Sequence, residues 1–544
     1  MAYFIGKQQR LFNSSDITGE EKEKLDKYLE ILEESGSGEI IEKAIGKDWR
    51  KGGNPGYNPY KLYATILYGF SKHSGSVRKL EESMKYDLRF LYLMDDKKPS
   101  YSTITRFCNN IVVAHQKELF TCLTKTMIKK WNIDVSDVFV DGTKFEANAN
   151  KYKFVWKPIR FHSKLNEGIK NILSIYFDIP LRKTSFISSE IADYITKLEE
   201  KIKEKNIIIV SGKGTRPPQI VKDYHNLTKM LIKTLEYEEK EDICGPNRKS
   251  YFKTDHDATA MCLKQDYYSG LGSNMHAAYS VQILVSKGLI LDYFVSQERT
   301  DFKTFIPFLK EFFDLYGYHP KRICADSGYG SLENYRYMES CCIENYVKYP
   351  YWQKFVTGEY MDLFSFDDSG DFYCLNGKKG TIVTNGIRHP RSKETSFYYV
   401  DDCHMCYYKS YCMKTLKDQS KNERYFETNR DLYRYRMNVN HNLLSPKGIE
   451  LRINRSSQVE GAFGVIKQDM DYDRIRRRGL ESVGSEIMLV TMGYNVRKLL
   501  SLLDGNALPS YWIAPTSLEP ETPRKFNIDK FIKNQKNIGD ISRQ

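Results

Sequence analysis

Residues 138–158 read VFVDGTKFEANANKYKFVWKP, and the reading of this stretch decides the fold. Val138, Phe139 and Val140 are a short apolar run, the expected end of a buried strand. The run delivers one acid, Asp141, onto a Gly142–Thr143 turn. Behind it Lys151, Lys153, Lys157 and Arg160 interleave with Tyr152, Phe154 and Trp156, and no acid occurs between Ala147 and Asn166. A strand-end carboxylate supplies a cation ligand, while a basic, aromatic ribbon supplies contacts to phosphates and bases. Metal-assisted phosphodiester chemistry draws on both.

A second acid stands in the same context. Arg322-Ile323-Cys324-Ala325 is an apolar strand ending in Asp326, with Gly328 close behind. Neighbouring strand ends of an α/β sheet open onto one crevice. Two carboxylates there repel each other unless a cation shares them, and Mg²⁺ takes carboxylate oxygens. The best third acid is Glu460, in RSSQVEGAFGVIK (455–467). Val459, Phe463 and Ile466 form a helical apolar stripe, and Lys467 lies seven residues past Glu460, two turns along nearly the same face. Any one of these acids alone reads equally as a solvated surface carboxylate. The case rests on the three together.

Outward from this core, the first 115 or so residues read as helices. Asn58-Pro59 opens one through Leu62, Ile66 and Leu67; Ser76 caps a second with Val77, Leu80 and Met84; Ser102 caps a third through Ile104 and Phe107. They suit a helix-turn-helix DNA binder and an ordinary bundle alike. Residues 162–243 carry two stripes, Ile191, Ile195, Leu198, Ile202 and Tyr224, Leu227, Leu231, Leu235, separated by a Gly- and Pro-containing stretch at 211–218. An antiparallel helical hairpin is expected, its stripes packed together or forming a dimer seam. Residues 277–295 read as two strands, Phe302–Tyr316 as a helix, and 350–425 as an irregular or β module. Regular helix is expected from about Asn454 to Asp504, then a loose tail. The divisions are 1–130, a helical DNA-binding domain; 131–161 and 251–349, parts of an α/β core; 162–250, the helical insertion; 350–430, a cysteine-containing insertion; 431–504, the helical part carrying the Glu; and 505–544, the tail.

The 544-residue chain is 41% hydrophobic and 28% charged, a globular composition long enough for several domains. Its 83 Lys and Arg against 70 Asp and Glu give a net charge of +13, which suits a polyanionic partner as well as a merely basic enzyme. The N-terminus has no long apolar segment and no run reaches about 18 apolar residues, so a cytoplasmic protein without a membrane span is expected. Most of the 11 cysteines are scattered. Cys403, Cys406 and Cys412 have the spacing C-x2-C-x5-C, with Cys374 upstream and His404 an alternative ligand; this suits a structural Zn²⁺ or unmetallated thiols. Cys341 and Cys342 are expected to be buried.

The strings DGTKFEANANKYKFVWKP (141–158), KTDHDATAM (253–261), ADSGYGSLENY (325–335) and QVEGAFGVIKQDMDYDRIRRRGLESVGSE (458–486) resemble bacterial insertion-sequence transposases of the DDE class, and most closely the insertion-sequence family numbered eleven eighty-two. The resemblance runs from about Pro59 to Lys498. It implies an RNase H-like mixed-sheet core with Asp141, Asp326 and Glu460 as the catalytic acids and ligands of two Mg²⁺ (or Mn²⁺) ions. One ion activates water at the transposon end and the other stabilises the leaving 3′ oxygen; the freed 3′-OH then attacks target DNA. The implied partners are double-stranded DNA, as transposon ends and target, and a second copy of the chain on the ends, in the nucleoid. Lys467 matches a lysine seven residues after the Glu, a phosphate contact. Related transposases carry Tyr and Arg seven and four residues before the Glu, where Ile453 and Ser456 stand here; Arg455 lies one step off. SGLGSNMHA (269–277) also departs from the family run, while Tyr279 and Val281-Gln282 keep its end. Lys144, Lys151, Lys157, Arg474, Arg476, Arg477 and Arg478 are further candidate DNA contacts; Trp156 and Tyr152 stack on a base or pack in a core. A DNA-binding relic without activity, or a nuclease unconnected with transposition, would share parts of this pattern.

Overall fold

The run at Val138–Val140 lies within a ten-residue strand, β1 (Asp137–Glu146), which continues through Gly142 and Thr143 instead of turning there. Gly142 serves close approach. A Cβ on it would come within 2.3 Å of the Gln282 side-chain amide. The computed structural model describes residues 16–46, 56–72, 76–209, 217–264, 266, 269–270, 274–385 and 395–533. The chain divides into two units, one of residues 1–143, 280–473 and 484–544, the other of residues 144–279 and 474–483.

The first unit is built on β1, β2 (His276–Ser286), β3 (Leu289–Ser296), β4 (Arg322–Ala325) and β5 (Glu344–Val347), in the order β3-β2-β1-β4-β5. β2 and β3 are antiparallel, joined through Lys287 and Gly288 at positive φ. β1, β4 and β5 are parallel, which demands crossovers, and helices Phe305–Tyr316 and Leu332–Ser340 provide them. The first buries Phe305, Phe308, Leu309 and Phe312, the face expected of it. Val140 pairs with Ala325, so the next residues along, Asp141 and Asp326, emerge side by side where β4 ends.

Helices precede the sheet as expected, with one shifted start. Ser76 caps Val77–Tyr86, accepting from the Lys79 N–H. The third expected helix, Tyr101–Phe107, is capped by Ser100 rather than Ser102, because the chain leaves Pro99 extended and turns at once. It runs through a π turn, Cys108–Val112, into Val113–Lys130. Residues 364–428 hold a two-stranded pair and a three-stranded antiparallel sheet, the β module foreseen. Helix then begins at Arg430, well before Asn454, with Arg430–Leu444 and Pro446–Arg455. Only Tyr435, Val439 and Leu443 among the apolar residues of the first are buried, so its stripe is faint in a Tyr-, Arg- and Asn-rich sequence. The helical region breaks at residues 470–479 before Leu480–Leu503. The described part of the tail, 505–533, is docked, not loose: the Glu521 and Arg524 N–H groups donate to the Leu444 and Val356 carbonyls, and Ile528 is buried; residues 534–544 lie outside the described residues. Backbone hydrogen bonds of this kind leave no side-chain pattern.

In the second unit the two striped helices expected, Ser188–Glu204 and Gln219–Cys244, are present, and a further helix, Ile159–Tyr176, packs with them. Ile169, Leu173, Ile191, Leu198, Ile202, Val221 and Leu227 share one apolar cluster, so the stripes pack within the unit. Leu235 is half exposed and falls outside it. Most of the separating stretch, 210–216, lies outside the described residues, as do residues 271–273 and the Arg160 side chain. Phe154–Trp156 pairs antiparallel with Ser250–Phe252. Among the described residues no helix is long and apolar enough to cross a membrane.

Candidate active site

Asp141 Oδ1 accepts the Gly142 N–H at 2.8 Å, and Oδ2 faces Arg455 Nη1 at 3.3 Å. Asp326 caps the turn Ser327–Tyr329, its Oδ1 accepting the Gly328 N–H at 2.8 Å. Burial pushes the Asp141 carboxyl up to about 6; Arg455 opposes the rise, while Asp326 and, more weakly, Asp301 reinforce it. Asp301 is a residue that sequence reasoning missed. A Cβ on Gly328 would meet Asp326 Oδ1 at 3.0 Å and Asp301 Oδ2 at 3.2 Å, so the two carboxylates flank one glycine. In ERTDFKTF (298–305) no apolar run leads directly into Asp301, so the strand-end pattern that marks the other aspartates is missing.

Glu460 is carried by a helix that is not uniformly α. Pro446–Arg455 passes into a π turn, Ser456–Glu460, then a short α segment and a second π turn, Val465–Asp469. A π turn brings residues five apart into line, where an α turn does so at four. Arg455 is five before Glu460, a spacing that a π turn brings into line. Burial works against the charge on Arg455, yet Asp141, Cys324, Asp326 and Glu460 around it hold its pKa above the usual range. Lys467 Nζ donates to Thr143 Oγ1 at 2.7 Å. Thr143 is two residues from Asp141 on β1 and shares its face, so this helical segment runs along the acid-bearing side of the strand. An α segment and part of a π turn separate Glu460 from Lys467, and the contact with Thr143 sets the lysine on β1.

The donors fit a divalent cation in kind, being hard carboxylate oxygens. Asp141 and Asp326 are half-buried and Glu460 is exposed; Arg455 interacts with all three, and Lys348 interacts with Asp326 as well. Among the described residues no three His, Cys, Asp or Glu side chains already stand in coordinating positions.

In the second unit the ribbon faces solvent. Tyr152 is 80% exposed and Trp156 62% exposed, which removes the core alternative for both. Phe154 and Trp156 meet edge to face at 5.4 Å, and Lys151 Nζ lies 5.4 Å from the Tyr152 ring centre. Lys157 Nζ donates to the Gly245 carbonyl and Lys144 Nζ to that of Cys262. The arginine cluster is a pinned loop. Ile475 is buried and donates its N–H to the Glu146 carbonyl, and Arg478 Nε donates to the Asn148 carbonyl. Arg474 pairs loosely with Glu146 at 3.9 Å, while Arg476 is exposed and Arg477 half-exposed.

The cysteine module returns to the first unit. Cys374, Cys403 and Cys412 border one apolar cluster with Phe372, Tyr398 and Phe426. Burial raises the Cys403 thiol, with Cys406 and Cys374 adding to it. Arg424, 8% exposed, sets Nη1 3.1 Å from Cys412 Sγ, and its buried Nε has no hydrogen-bond partner. His404 is exposed. Cys342 is exposed rather than buried, and Cys341 is half-exposed: they sit in the turn after Leu332–Ser340, Cys342 at positive φ.

Residues 373–500 match the family model described as Transposase DDE domain, and residues 17–110 match Transposase domain (DUF772). The chain carries two transposase domains. The first matched range of this transposase contains Glu460, Lys467, Arg455 and the four clustered cysteines; Asp141 and Asp326 lie outside both ranges. No curated protein and no solved structure matches the chain.

Proposed function

We propose that the chain is a DDE transposase of the insertion-sequence family numbered eleven eighty-two, cutting and joining DNA at insertion-sequence ends with Asp141, Asp326 and Glu460 as its catalytic carboxylates. The observation that carries this reading is Arg455, whose Nη1 lies 3.3 Å from Asp141 Oδ2 and whose charge is favoured also by Asp326 and, least, by Glu460, acids that are far apart in sequence. An antiparallel pair beside three parallel strands, joined by helices, supports the RNase H-like description of the core. Bound by these carboxylates, two Mg²⁺ or Mn²⁺ ions would lend Lewis acidity to a water and to the leaving 3′ oxygen. Arg455 holds the acids together before the cations arrive, and Lys467, braced on Thr143, neutralises a DNA phosphate. The exposed ribbon from Lys151 to Lys157, with Lys144 and the loop Arg474–Arg478, takes up the DNA backbone and an unstacked base. Residues 1–130 recognise the ends, and two copies act on a pair of ends in the cytoplasm, on the nucleoid. A structural Zn²⁺ on Cys374, Cys403, Cys406 and Cys412 is a separate proposal, supported by the buried Arg424, which would balance the thiolate charge.

Incubating the protein with end DNA and Mg²⁺ tests the main reading, with nicked and strand-transferred products expected. Asp141→Asn, Asp326→Asn and Glu460→Gln should each abolish both products and leave DNA binding intact; wild-type cleavage by all three would end the proposal. Metal analysis of the purified protein should find one zinc per chain, lost in Cys403→Ser. Its absence from the wild-type protein removes the zinc proposal.

A further inference from the structure

Gln282 lies on β2, fully buried, and uses both ends of its amide. Oε1 accepts from the Tyr329 hydroxyl. Nε2 donates to Ser280 Oγ at 2.9 Å and to Asp301 Oδ1 at 3.0 Å. The amide also rests on β1: a Cβ at Gly142 would fall 2.3–2.6 Å from its Nε2, Oε1 and Cδ atoms. Gly142 follows Asp141 directly and gives it a backbone N–H. Tyr329, itself buried, closes the turn that Asp326 caps. One side chain thus touches the strand bearing Asp141, the turn bearing Asp326, and Asp301 itself.

We infer that Gln282 is a positioning residue, an amide strut that fixes the separation of Asp141 and Asp326 and holds Asp301 beside them as an acceptor. The inference rests on the reading of these acids as cation ligands. Packing alone would be served by an apolar side chain of the same length. The amide is required because its loss removes the acceptor of the buried Tyr329 hydroxyl and one donor to Asp301. Gly142 belongs to the same device, since a side chain there would push the amide off β1. Supporting groups of this kind typically alter metal affinity by about 10–100-fold when removed.

The test is Mn²⁺ binding by the full-length protein, read as free Mn²⁺ in electron paramagnetic resonance, alongside end-DNA binding and the thermal melt. Gln282→Met should weaken Mn²⁺ binding about tenfold with DNA binding unchanged, and cleavage should recover at high metal concentration. Gln282→Glu, which sets a second carboxylate against Asp301, should weaken it further. Tyr329→Phe, which removes one hydroxyl, should move it in the same direction by less. Folded Gln282→Met protein with wild-type Mn²⁺ binding overturns the inference. Should that variant fail to fold, wild-type Mn²⁺ binding by Tyr329→Phe overturns it instead. Wild-type protein that takes up no Mn²⁺, or Asp326→Asn protein that takes up as much as wild type, overturns the cation-site reading itself, a result distinct from the others.

Discussion

β1 and the ribbon that follows it are close in sequence and opposite in exposure. Val138, Phe139 and Val140 are buried, Asp141 keeps only 21% of its side chain exposed, and its oxygens are engaged by Gly142 and Arg455. A few residues on, Tyr152, Phe154 and Trp156 turn large apolar surfaces to solvent. Chemistry on a phosphodiester gains from a site that is dry and already oriented, because charges there act strongly and need no rearrangement. Holding a strand of variable sequence gains from rings left open to stack. On the proposed function the two stretches divide cutting from gripping, and each can be altered while watching the other.

The widest contrast is expected between Glu460→Gln and Trp156→Ala. The first should lower strand cleavage by on the order of 10³-fold at unchanged affinity for end DNA. The second should leave cleavage of saturating DNA near wild type, and a loss there as large as that of Glu460→Gln would break the comparison. Next in size, replacing Tyr152 and Trp156 together by Ala should weaken binding of single-stranded end DNA about 10–100-fold, since base stacking on an aromatic ring is worth roughly 1–3 kcal/mol; fluorescence anisotropy reads it directly. Replacing Arg476 and Arg477 by Gln should lower the slope of log affinity against log salt by about 2, a modest change at any one salt concentration.

The smallest effect concerns stability. The Asp141 carboxyl stands at about 6 in the folded chain against an ordinary value of 3.8, so folding disfavours its ionised form. That penalty is complete above the folded value and fades as pH falls towards the ordinary one, where the group is protonated in both states. Metal-free Asp141→Asn protein should therefore melt about 3 °C above wild type at pH 8, with the gain gone by about pH 4. A gain that persists at low pH would point to packing instead of charge.

Much of this was legible in residue order. The run before Asp326 is a strand that stops at the acid, because apolar residues pair until a polar one caps the following turn. The same rule misplaces Asp141: the glycine after it reads as a turn, yet it makes room for an amide from the next strand, a contact invisible in one-dimensional spacing. Ser76 was found as a cap and Ser100 was not, since two serines near one helix start are equivalent until the backbone chooses. Asp301 escapes because its carboxylate meets Gln282 and Gly328, neither of them a neighbour in sequence. The tail is hidden because its anchors, main-chain groups and the scattered side chains of Glu521, Phe526 and Asp529, follow no period.

The π turn at Ser456–Glu460 has a consequence for how such chains diverge. A π turn can hold one residue more than an α turn while the helix continues on both sides, and Ser456–Glu460 is such a turn. Counting back from the glutamate then lands on Ser456, and the arginine is passed over although it still faces Asp141. The chemistry is preserved while the motif as written is broken. Removing one of the two serines, Ser456 or Ser457, would restore the four-residue spacing on paper, and a chain so shortened should keep its arginine–aspartate pairing by relaxing to an ordinary α turn. Ancestry in this region is thus better traced by which groups meet than by how many residues lie between them.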